Sequence, residues 1–121
     1  MIKSVQDYLE TLYPDITFGQ IQDNPNTLIN VNVYDKGNNP FFDGNAHILT
    51  LDLYIRDESF ENMITSNEDV TNKLLNMYDK SISNYHIVRT KKESSQEPSR
   101  DEKNRYSIYS TYEILIEKME G

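Results

Sequence analysis

Two stretches of this chain alternate apolar and polar residues with a period of two, and they constrain the fold more than any other feature. From His47 to Asp57, Leu49, Leu51, Leu53 and Ile55 point one way while Thr50, Asp52 and Tyr54 point the other. From Tyr106 to Lys118, Tyr106, Ile108, Tyr112, Ile114 and Ile116 share one parity. Successive side chains of a strand leave opposite faces. Strict alternation therefore marks antiparallel strands with one covered and one wetter face. Leu28 to Asp35 repeats the pattern, setting Ile29, Val31 and Val33 against Asn30, Asn32 and Tyr34. Ile16 to Gln22 is a shorter strand-like run that ends at the turn cluster Asp23-Asn24-Pro25-Asn26. Tyr85 to Thr90 completes the set.

A covered sheet face needs helices to cover it, and two are legible. Val5, Tyr8, Leu9, Leu12 and Tyr13 form a stripe at helical spacing. Ser4 is its expected cap, Asp7 favours its positive end, Ile2 can pack back on the first turn, and Pro14 stops it. Phe60, Met63 and Ile64 suggest a single helical turn within Ser59–Thr65. A second helix is then expected to start at a Ser66 or Asn67 cap, with Val70, Leu74, Met77 and Tyr78 inward and Lys80 near its negative end. The element order is α-β-β-β-α-β-β. It predicts an α+β fold: one mainly antiparallel sheet of about five strands with two helices packed on one face. A length of 121 residues suits one domain spanning 1–121. Only 36% of residues are hydrophobic, so the core is expected to be thin, with 9 Tyr and 4 Phe supplying area that aliphatics do not.

Patterns that carry catalytic chemistry are scarce in the chain. Without cysteine there is no disulfide, thiol nucleophile or cysteine zinc site. Asp52, Asp57, Glu58 and Glu61 lie near one strand end, where a metal nuclease assembles carboxylates. However, no lysine accompanies them on the strand, and acids at a strand-to-helix junction ordinarily favour the helix start. His47 and His86 stand alone, with nothing at ligand spacing. Glycine-rich phosphate loops and nucleophile elbows are absent. The reading is a protein with no catalytic residues, metal site or cofactor.

Charge is more informative. The chain holds 12 basic and 20 acidic residues, net −8, a balance that repels phosphate backbones and anionic membranes. No apolar run approaches the length of a membrane span, and Met1-Ile2-Lys3-Ser4 lacks a signal-peptide core, so the product is expected to be cytosolic when made. Residues 1–88 carry 5 basic and 13 acidic side chains, whereas residues 89–121 carry 7 of each. Arg89, Lys91, Lys92, Arg100, Lys103 and Arg105 gather in or beside Lys91–Asn104, a wholly polar segment read as a hairpin arm or mobile loop. Such an arm either stays solvated or pairs with an acidic surface, including that of a neighbouring identical subunit in a head-to-tail ring. Phe41 and Phe42, in a Gly/Asn-rich loop over 36–46, pack on the core or on a partner. Tyr106, Tyr109 and Tyr112 read as core, with partner contact as the alternative.

The leading segment SVQDYLETLYPDITFGQI, the long strand 48–56 ending at Arg56, the polar-armed final hairpin and the acidic body together resemble the tail terminators of long-tailed phages. They are similar, too, to the minor capsid or head–tail joining proteins of such phages. The resemblance implies a virion protein of the tail or neck that forms hexameric rings on the last ring of tail-tube subunits. It implies partners in the major tail tube protein and a head-completion or connector protein. It further implies binding without turnover, with DNA passing through an acidic channel without specific contact. Arg56 joins the contact residues on this ground. The expected contact set is therefore Phe41, Phe42, Arg56, Arg89, Lys91, Lys92, Arg100, Lys103 and Arg105. The alternatives are a head-completion (neck) protein, a small acidic inhibitor or immunity-type protein that masks a basic partner, and the metal nuclease above.

Overall fold

The computed structural model describes residues 1–38 and 46–119. The order is α1 (Ile2–Leu12), β1 (Thr17–Phe18), β2 (Leu28–Asn38), β3 (Ala46–Asp57), α2 (Phe60–Leu75), β4 (Lys80–Ile82), β5 (Tyr85–Ser95), β6 (Ser99–Arg100) and β7 (Tyr106–Lys118). The strands form one sheet in the order β1-β2-β3-β7-β5-β4, with β6 also paired to β7. The fold is α+β as expected, but the sheet is larger and mixed: β1 runs parallel to β2, and every other pairing is antiparallel.

Alternation places the core where the sequence put it. Leu49, Leu51, Leu53 and Ile55 are at most 1% exposed, and they face Ile114, Tyr112, Ser110 and Ile108 across the β3–β7 ladder. Val5 and Leu9 of α1 and Met63, Val70 and Leu74 of α2 join the same cluster. α2 lies on β3, β5 and β7, whereas α1 touches both β2 and β4. Four strand spacings separate β2 from β4 in the sheet order, about 19 Å if the sheet were flat. A helix about 10 Å across cannot meet both, so the sheet curls around α1. Aromatic area contributes as expected: Tyr112 is fully buried, and its hydroxyl meets that of Thr71 on α2 at 2.6 Å. Tyr106 instead lies half-buried with its ring edge-on to Phe60, and Tyr109 faces away from the helices.

Several boundaries differ from the sequence reading, each for a local reason. α1 begins at Ile2 with Met1 as cap and no side-chain capping bond, so Ser4 lies inside the helix. The single turn near Phe60 and the second helix are one continuous α2. Ser59 is extended, and its hydroxyl accepts the Asn62 amide at 3.2 Å. No Gly or Pro interrupts the run from there, so Ser66 and Asn67 are interior residues. Ile16–Gln22 retains only two strand residues. Lys80, expected near the end of the second helix, starts β4 after a left-handed Asp79 (φ 46°). The polar segment from Lys91, read as a hairpin arm or mobile loop, starts as strand and forms one side of a hairpin with β7. β5 runs on to Ser95, and after a short break β6 continues along the same side of β7.

Candidate functional site

Three features lie outside the core: a strap held by arginines, a tyrosine-bearing sheet face, and an unpaired basic edge. The strap is the chain between β1 and β2. Its backbone makes no hydrogen bond to other backbone over residues 20–26 among the described residues. Side chains hold it instead. Asn30 and Asn32 donate to the Gly19 carbonyl at 3.1 and 3.0 Å, and Asn32 accepts the Gly19 amide. Arg56 donates from Nη2 to Gln22 O at 2.6 Å and from Nε to Pro25 O at 3.1 Å. Arg105 donates to Asp23 O at 2.6 Å and, with Lys103, to the Asp23 carboxylate. Bonds from Lys103 and then Arg105 hold the Asp23 carboxyl below its ordinary value, and Asp101 is lowered by the Arg105 amide and guanidinium.

Arg56 and Arg105 are therefore each only 3% exposed, although both were expected at a partner contact. Their position explains the burial. Arg56 stands on the face of β3 opposite Ile55, Arg105 directly precedes β7, and the strap crosses that end of the sheet. Outside the strap, Phe18 and residues 20–24 line an open cavity of about 580 Å³.

The rest of this outward face carries polar and aromatic pairs in register. Thr111 donates to Asp52 at 3.1 Å, and the Tyr54 and Tyr109 rings lie 6.5 Å apart. Burial, together with a hydrogen bond to Asp52, pushes the Tyr109 phenol up to about 12. Asp52 thus serves its neighbours on the sheet. Asp57 accepts the Ser59 amide at 2.9 Å at the start of α2, which is the helix-start reading of that acid. Among the described residues, no three His, Asp or Glu side chains are placed to hold a metal ion.

The basic edge is the third feature. β4 pairs with β5 only as far as Lys80 opposite Ile87. Beyond Val88 the outer side of β5 has no strand neighbour among the described residues, and every residue from Lys91 to Arg100 is exposed. Lys91 lies 3.2 Å from Glu93, and Arg100 bonds Asn104 and stands over the Tyr106 ring. Arg89 and Lys92 meet no carboxylate among the described residues. The expected contact set is thus split: Arg89, Lys91, Lys92 and Arg100 share one edge, Arg56, Lys103 and Arg105 hold the strap, and Phe41 and Phe42 lie outside the described residues.

Sequence reasoning missed the strap and the role of His86. The two imidazole nitrogens of His86 contact Glu117 at 2.9 Å and Asp79 at 2.8 Å, and these bonds, Glu117 first, raise its pKa above the ordinary 6.5. Nothing in the spacing of the three residues signals that meeting; the β5–β7 register brings in Glu117, and the β4–β5 hairpin brings in Asp79.

No protein-family model matches the chain, and no curated protein matches it. Its fold is similar to that of a chain from the virion of a native gene transfer agent particle. The TM-score is 0.60 at 13% identity, over 95% of this chain and 90% of that one.

Proposed function

We propose that this protein is a structural component of a phage-like particle, forming a hexameric ring at the end of the tail tube. There it would stop tube growth and join tail to head. The observation that carries the reading is the fold likeness to a chain of a gene transfer agent virion, which spans nearly the whole of both chains. The sequence resemblance to tail terminators, made on separate grounds, points the same way.

The mechanism is binding without turnover. A ring face meets the major tail tube protein, and the opposite face meets a head-completion or connector protein. With a net charge of −8, a ring of such chains repels duplex DNA along its channel, so phosphates pass without adhering. A position in the neck on the head side of the joint rests on the same likeness, and one experiment separates the two. Purified protein is added to isolated tail tubes and, separately, to filled heads, and both are imaged by negative-stain microscopy. A cap on tube ends, with overlong tubes assembling when the protein is omitted, supports the terminator reading. Decoration of heads alone supports the neck. Binding to neither, with tube length unchanged, overturns both.

A further inference from the structure

The most polar part of the chain lies along one edge of the sheet that has no strand neighbour among the described residues, and the two facts have one explanation. An open sheet edge invites another strand unless something blocks it. Here the register shifts between Ile87 and Arg89 and again between Lys92 and Ser94. Pro98 then interrupts the line between β5 and β6. Bulges and proline break the ladder a docking strand would need. The edge therefore presents side chains rather than backbone. From Arg89 to Arg100 it carries four basic and two acidic residues, with Arg89 and Lys92 unpaired among the described residues.

The helices carry the opposite balance. Within α1 and α2 there are five acidic and two basic residues, and both lysines already meet a carboxylate of their own helix: Lys3 meets Asp7 and Lys73 meets Asp69. Glu61 and Glu68 of α2 are exposed and unpaired among the described residues. Edge against edge and helix against helix both repel. Edge against helix attracts, and a contact between two different patches of one chain is head-to-tail, the kind that closes into rings.

We infer that the β5–β6 edge of one copy docks through Arg89 and Lys92 on the exposed carboxylates of α2, Glu61 and Glu68, in the next copy. This rests on the ring reading above and names the surfaces that build the ring. A duplex-DNA site is the less favoured use of the edge, because the remainder of the chain is strongly acidic.

Charge exchange tests it with the full chain, by sedimentation velocity in solution and by ring counting on tail tubes. Arg89→Glu/Lys92→Glu is expected to weaken self-association about tenfold at low salt, and Glu61→Lys/Glu68→Lys equally. All four positions are exposed, so circular dichroism should match the parent chain. Mixing the two double variants restores complementary surfaces, and association should return to within about threefold of the parent. Recovery in the mixture supports the inference. Variants that still form rings as the parent does overturn it and leave the ring reading standing. A parent chain that forms no ring in solution or on tubes overturns both. Duplex DNA bound by the parent and released by Arg89→Glu/Lys92→Glu, with rings unaffected, also overturns it.

Discussion

Replacing Arg56 by alanine isolates the physical basis of the strap. The guanidinium is 3% exposed, and its only hydrogen-bond acceptors among the described residues are the carbonyls of Gln22 and Pro25, more than thirty residues away in sequence. Truncation leaves the Gln22 carbonyl without its donor and the Pro25 carbonyl with only the 3.2 Å bond from Arg105. Hydrogen bonds from a charged group contribute about 1.5–3 kcal/mol each. The strap is at the surface and water can reach it, so the lower figure applies to each carbonyl, and the expected loss is about 3 kcal/mol. With a urea slope of about 1.5 kcal/mol/M, the unfolding midpoint should fall by about 2 M. Arg56→Lys supplies one ammonium where the fork reached two carbonyls, so about half of that fall is expected. Amide exchange over residues 20–26 should quicken in both variants, because no backbone partner remains to protect that segment. Arg105 shares the Pro25 carbonyl with Arg56, so the two sites are coupled. Each single variant leaves the other arginine on that carbonyl, so the double variant Arg56→Ala/Arg105→Ala should lose more than the sum of the two single losses. A midpoint change below about 0.5 M for Arg56→Ala, or strictly additive losses, would refute the clamp.

Ser59→Ala removes the hydroxyl that accepts the Asn62 amide, and should cost about 1 kcal/mol in urea unfolding. Ser66→Ala, inside the helix, should change stability by less than about 0.5 kcal/mol; the reverse ranking would place the helix start wrongly. Tyr112→Phe keeps the buried ring but strands the Thr71 hydroxyl, and a fall in Tm of about 4 °C is expected for about 1 kcal/mol lost. For His86, whose folded pKa is raised above 6.5, the protonated ring binds both Glu117 and Asp79. Its stabilisation is fully present below pH 6.5 and disappears as pH rises through the folded value. His86→Gln should therefore lose stability relative to the parent chain at low pH and converge on it at high pH. Equal differences at both ends, or an NMR titration of His86 below its ordinary pKa, would contradict the bridge.

What was legible in the sequence depended on repetition. The parity of β3 and β7 is carried by eight or more consecutive residues, so a few exceptions do not obscure it, and the core followed from it. The α1 stripe was equally plain. Short elements carry no such redundancy: β1 has two residues and β4 three, too few for a period to appear. The distal half of β5 failed for another reason. Both of its faces are wet beyond Thr90, so nothing selects apolar residues there, and a strand with exposed side chains on either face resembles a loop in composition. Of the candidate site, the gathering of basic residues was visible, but its division was not. Arg89 and Lys92 stand free on an edge, whereas Arg105, only a few residues beyond β6, is among the most buried side chains in the chain.

The sequence alone determined the types of the long elements, the inward parity of the long strands, and the imbalance of charge between residues 1–88 and 89–121. Each of these is a local property, set by neighbours within a few positions or by a simple count. Tertiary structure decided which strands pair, that one pair is parallel, and which charged groups are withdrawn from water. Burying an arginine requires acceptors brought from far along the chain, and carbonyls carry no signature in the sequence. Arg56 and Arg89 are chemically identical residues; the strap that crosses one and the missing strand beside the other give them opposite roles.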